Sequence, residues 1–91
     1  MKNILLPGMI VNHFKRELIE NPTDEYLYNI LCFATHTETK EKLVIYQALY
    51  GNKQIYARPY DMFISEVDRG KYPDIKQKYR FEEFFADDWS E

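Results

Sequence analysis

Three short apolar runs, at residues 26–34, 43–50 and 54–58, are separated only by polar or turn-forming residues, and this spacing restricts the fold more than any other feature. Each run is rich in β-branched and aromatic side chains, which suit the pleated surface of a strand. The tract between the first two, residues 36–42, is wholly polar. Gly51 and Asn52, between the second and third, accept the positive backbone angles of a hairpin turn. Consecutive hairpins of short strands are therefore expected, in a mainly β fold that curls into a small barrel. A buried helix is the competing reading of the first run, which is apolar at nearly every position, as a strand buried on both faces would also be.

The flanks fit the same plan. Pro7 and Gly8 punctuate the start, and residues 9–14 have the composition of a first strand. Residues 15–24 are charged and end in Asn21-Pro22-Thr23-Asp24, which reads as a surface loop with one helical turn. Pro59 lacks an amide hydrogen and should stop the third ladder, after which residues 60–63 suit one tight helical turn. Residues 79–89 suit either strand or helix: Phe81, Phe84, Phe85 and Trp89 recur at near-helical spacing opposite Glu82, Glu83, Asp87 and Asp88. A chain of 91 residues has room for one core, so 1–91 reads as a single domain, with 8–67 its barrel and 68–91 a C-terminal loop and aromatic, acidic segment.

A net charge of -3 gives no long-range pull toward phosphate, which counts against indiscriminate nucleic-acid binding. The single cysteine, Cys32, can form no disulfide within the chain, and its neighbours Ile30, Leu31 and Phe33 predict a buried, unreactive thiol. No run approaches the roughly 18 apolar residues of a membrane helix, and the start does not read as a signal peptide. A cytoplasmic location with no membrane partner is expected.

The ordered blocks His36-x-Glu38-Thr39, Glu41-x-Leu43-Val44-Ile45-Tyr46, Ala48-Leu49-Tyr50-Gly51 and Arg58-Pro59-x-x-Met62-Phe63 resemble a family of small bacterial proteins, domain-of-unknown-function family 1653. His13-Phe14-Lys15 and Glu66-Val67 resemble its ends, so the likeness runs from Gly8 to Val67 and leaves most of the tail after Lys71 outside. The resemblance implies an SH3-like barrel of strongly bent antiparallel strands and says nothing about activity. This chain departs from the family in a longer charged segment after Lys15, in Gln47 where arginine is common, and in Tyr56 where tryptophan is common.

Candidate functional residues fall into three groups. His36 and Glu38, two apart on an extended chain, would leave the same face and share a metal ion or a proton, with His13 and Cys32 as further partners. The plainer reading makes this tract the cap of a hairpin, with Thr37 or Thr39 bonding the turn, and no metal or cofactor is expected. Arg58, at a strand end, can offer a forked guanidinium to a carboxylate or phosphate, with Tyr46, Tyr50 and Tyr56 as stacking surfaces; the alternative is a salt bridge to Glu38, Glu41 or Asp61. Lys40, Lys42 and Lys53 are further phosphate contacts if a single strand of nucleic acid binds. The C-terminal aromatics either seal the barrel or dock on a partner or a second copy.

No phosphate loop, His-Glu-x-x-His helix or nucleophile elbow is present, so a non-enzymatic binding or adaptor module with a protein or peptide partner is the first reading. Single-stranded nucleic-acid binding is the second, and a small-molecule enzyme or metal protein centred on His36 and Glu38 is the third.

Overall fold

Each apolar run is a strand in the computed structural model, which describes residues 3–85. Strand β1 (Ile10–His13) leads into a 3-10 turn (Phe14–Leu18), followed by β2 (Leu27–Thr35), β3 (Lys42–Ala48) and β4 (Ile55–Pro59). A single helical turn, α1 (Tyr60–Phe63), follows directly, and β5 (Phe81–Glu83) closes the series. All pairings are antiparallel, in the order β4-β3-β2-β1-β5. The described strands form one unclosed sheet, curled enough that the Arg58 guanidinium of β4 lies 5.6 Å from the Phe81 ring of β5.

The turns are made by the residue types that favour them. In the β2–β3 turn the Nδ1 of His36 accepts from the amides of Glu38 (3.1 Å) and Thr39 (3.3 Å), and Lys40 takes φ 65°. The β3–β4 turn places Gly51 at φ 61°, where a glycine avoids the penalty of a Cβ. Its second positive angle falls on Lys53, at 60°, and not on Asn52. Pro59 pairs with Leu43 as the last rung of β4, and α1 starts at the next residue.

Burial on one face of the sheet builds the core. Val11, Ile30 and Val44 are almost wholly enclosed, and Phe63 from α1 stacks on Phe81 from β5 with ring centroids 4.0 Å apart. A satellite cluster of Phe14, Val67 and Ile75, flanked by Tyr72, lies beside it. Strand β2 departs from the expected two-sided burial. A register shift between Ile30 and Cys32 puts an extra residue opposite its partner strand, and Leu31 and Cys32 both end up exposed. The expected buried thiol is thus corrected: Cys32 faces outward because the bulge turns the strand there.

Residues 81–83 form a strand, which resolves the C-terminal alternatives against a helix for that stretch. The free edge of β1 outweighs the helical spacing, with His13 opposite Phe81 and Val11 opposite Glu83. Phe81 seals the core at 1% exposure, whereas Phe85 is 54% exposed. Trp89, Asp87 and Asp88 lie outside the described residues.

The charged segment after Lys15 acts as a clamp. Glu17, on the 3-10 turn, accepts hydrogen bonds from the amides of Lys76 (3.0 Å) and Gln77 (2.7 Å), tying down the strandless connection before β5. Arg69 adds bonds to the carbonyls of Ile75 and Gln77. Charge-assisted bonds of this kind are worth about 1.5–3 kcal/mol when buried and less in water. Glu17→Ala should therefore cost about 1 kcal/mol and speed amide exchange at Lys76 and Gln77 more than elsewhere. Uniform exchange across the chain in the variant would remove the clamp.

Candidate functional site

The β4 edge and the β1 end meet in a continuous cleft. One hollow of about 250 Å³ is lined by Tyr26, Tyr28, Tyr46, Tyr56 and Phe81 on its aromatic side. A second, of about 240 Å³, is bordered by Lys71, Tyr72, Arg80 and Asp68. His13, Lys15 and Arg58 line both and join them.

Backbone register explains the meeting. Tyr46 of β3 pairs with Tyr56 of β4, and Val44 with Arg58, so Tyr56 and Arg58 leave the same face two residues apart. His13 ends β1 opposite Phe81, and Lys15 follows on the 3-10 turn. Arg80 precedes β5 and is fixed through its backbone amide, which donates to the Ser65 carbonyl at 2.9 Å.

Three cations of this cleft are held by neutral groups. Arg58 Nε donates to the Tyr46 hydroxyl at 3.2 Å, and Arg80 Nε donates to the Ser65 hydroxyl at 2.9 Å. The Lys15 ammonium sits 5.9 Å from the centre of the Tyr72 ring. Among the described residues no carboxylate pairs with Arg58, which replaces the expected salt bridge to Glu38, Glu41 or Asp61. Asp68 is the one carboxylate on the lining, and its Oδ1 accepts from the Gly70 amide at 3.0 Å.

His13 reports this field. Burial first, and then the charges of Arg58, Lys15 and Arg80, lower its pKa from 6.5 to about 4. Its Nδ1 accepts from the Lys15 amide at 3.1 Å, so the neutral ring carries its proton on Nε2. The ring is packed against Phe14 at 4.4 Å and Phe81 at 4.9 Å. Because the folded pKa lies below the unfolded one, the unfolded chain binds the extra proton between these values. The native state is therefore fully favoured above pH 6.5 and loses stability as pH falls toward 4. The expected loss is about 2 kcal/mol after solvent screening. Urea unfolding at stepped pH should show it in the parent and not in His13→Asn; parallel pH curves for the two would contradict it.

One of the four described non-glycine residues at positive φ lies on the same wall. Tyr26, on the aromatic wall, has φ 63°, an unusual angle for a bulky residue, and its carbonyl accepts from the His13 amide at 2.9 Å. Its ring lies 5.8 Å from that of Tyr50. Tyr28 and Tyr50 share a hydroxyl hydrogen bond of 2.9 Å, and burial, followed by that bond, pushes the Tyr28 phenol upward.

The residues singled out from the sequence divide between this cleft and other places. Tyr46, Tyr56 and Arg58 come together, though Tyr46 is 4% exposed and offers a hydroxyl, whereas Tyr56 is 43% exposed. Tyr50 stands behind the wall, bonded to Tyr28. His36 and Glu38 lie in the β2–β3 turn with the His36 imidazole capping it, and no group of three or more metal-ligating side chains occurs among the described residues. Lys42 is held over the Phe33 and Tyr60 rings at 4.3 and 4.1 Å, and the Lys53 ammonium donates to the Leu49 carbonyl, so neither extends a phosphate track from Arg58. Lys15, Lys71 and Arg80 are the cations that sequence reasoning missed. The block His13-Phe14-Lys15 was a signal for the first; nothing local marked the other two.

Fold and cleft together define a small antiparallel β protein with a cationic, aromatic hollow at one edge of its sheet. The chain belongs to the DUF1653 family, described as proteins of unknown function, whose pattern matches residues 9–83. That match extends the likeness well past Val67 and takes in Lys71, Tyr72, Arg80 and Phe81. No curated protein and no solved structure matches the chain.

Proposed function

We propose that this protein is a non-catalytic binding module that captures an anionic group in the cleft between β1 and β4. The observation that carries the reading is the set of cations Lys15, Arg58 and Arg80, anchored by a ring and two hydroxyls rather than by carboxylates. In a chain of net charge -3, a local cluster whose members, among the described residues, pair with no carboxylate is a feature a ligand can satisfy. Strain at Tyr26 supports the same location.

The SH3-like barrel is part of this proposal. A four-strand meander, a helical turn after β4 and a fifth strand returning to β1 support it, as does the approach of β4 and β5 side chains. A cytoplasmic setting is also part of it, since an exposed, unpaired thiol suits a reducing compartment. No helix among the described residues is long and apolar enough to cross a membrane.

Binding of an anion to the native state raises thermal stability by mass action. Pyrophosphate is expected to raise the melting temperature beyond sodium chloride of equal ionic strength, and the rise should vanish in Arg58→Gln. An equal rise in both proteins, or none in either, would sink the reading.

A further inference from the structure

The cleft is two-natured. Its inner half is aromatic and includes one well-exposed ring, that of Tyr56, with the Tyr46 and Tyr28 rings 5.6 and 6.4 Å from it. Its other half carries Lys71 and Arg80, with Lys15 and Arg58 at the junction and, among the described residues, Asp68 as the only acid on the lining. A bare anion satisfies the second half and leaves the first wet. An acidic peptide side chain does the same, and a flat apolar ligand leaves the cations unanswered.

We infer that the cleft takes a mononucleotide, with its base against the exposed Tyr56 ring and its phosphate among Lys15, Arg58 and Arg80; this rests on the binding reading above. The two joined hollows, about 250 and 240 Å³, suit a small ligand rather than a polymer. A strand of nucleic acid needs a succession of stacking rings and a cationic track, and here, among the described residues, Tyr56 is the one well-exposed ring of the cleft, while Lys42 and Lys53 are engaged elsewhere. The neutral His13 ring, which carries its proton on Nε2, adds a donor on the junction between the halves. Guanidinium forks at Arg58 and Arg80 match phosphate oxygens in pairs.

The test is a calorimetric titration of the whole chain with adenosine and cytidine monophosphates, inorganic phosphate, the free nucleosides, an oligothymidylate ladder and a phosphoserine peptide. Monophosphates are expected to bind at least about tenfold more tightly than inorganic phosphate or nucleosides, the usual scale of one stacked base. In Tyr56→Ala their affinity should fall to that of inorganic phosphate. If phosphate and nucleotides bind equally, or the phosphopeptide binds best, the nucleotide claim fails while the anion-binding module stands. Affinity that climbs with oligonucleotide length would also overturn it, in favour of a polymeric ligand. If no phosphate compound binds, both readings fail together. An amide NMR spectrum of Tyr56→Ala with the dispersion of the parent separates lost binding from lost fold.

Discussion

Phe81→Ala is expected to destabilise the native state by about 3–5 kcal/mol, the range for truncating an enclosed aromatic ring. The Phe81 side chain is 1% exposed and stacks on Phe63 at 4.0 Å. It also meets the edges of Tyr46 at 5.5 Å, Tyr28 at 5.7 Å and His13 at 4.9 Å. A domain of this size has about 5–15 kcal/mol in total, so the variant should be marginal at room temperature. The effect also reaches beyond the core, because Phe81 pairs with His13 to hold β5 against β1 and lines the cleft. Phe81→Leu keeps most of the volume and should cost about 1–2 kcal/mol less than the alanine variant. Urea unfolding followed by circular dichroism measures both. A loss below about 1 kcal/mol in Phe81→Ala would mean that β5 is not docked as described.

Arg58→Gln is the variant with the largest expected effect on binding. The Arg58 guanidinium joins the two halves of the cleft, and its loss removes both a charge and a fork. Affinity for pyrophosphate should fall at least about tenfold, since charge-assisted bonds contribute about 1.5–3 kcal/mol. Arg58→Lys keeps the charge as a point and should recover only part of that loss. Stability changes little by comparison: the Tyr46 hydroxyl loses one donor, a cost of about 1 kcal/mol. Calorimetry on both variants reads the affinity, and unfolding curves read the fold. Equal affinity of the Arg58→Gln variant and the parent would place the anion elsewhere.

The strands were readable because turn formers bracket β-branched runs, and the β2–β3 and β3–β4 turns fall where those residues stand. The helical turn at residues 60–63 was readable because Pro59 both ends a ladder and presets the next turn's entry. Strand β5 was not, because a three-residue strand has no period of its own and owes its form to the free edge of β1, some 70 residues earlier in the chain. The bulge near Cys32 was invisible for a similar reason: it is a mismatch between two strands, and neither strand's sequence contains it.

The candidate site divides the same way. Tyr56 and Arg58 are neighbours on one strand face, and alternation alone puts them together. Arg80 and Lys71 reach them only through the return of the chain from α1 to β5, which the Glu17 clamp and the Arg80 to Ser65 bonds fix in place. His36 looked like a ligand beside Glu38 because spacing cannot tell a strand from its turn; its Nδ1 is engaged by two turn amides. His13 gained its importance from the charges of Arg58, Lys15 and Arg80, two of them far from it in the sequence, and from its burial among them.

The most direct test of the cleft as a binding site is an amide NMR titration of labelled protein with pyrophosphate, first at low salt and then with salt raised. The expected shifts cluster at His13, Lys15, Tyr56, Arg58, Lys71 and Arg80 and shrink as salt screens the charges. Shifts centred instead on Lys40, Lys42 and Lys53, or a spectrum that ignores pyrophosphate at every salt concentration, would contradict an anion-binding cleft between β1 and β4.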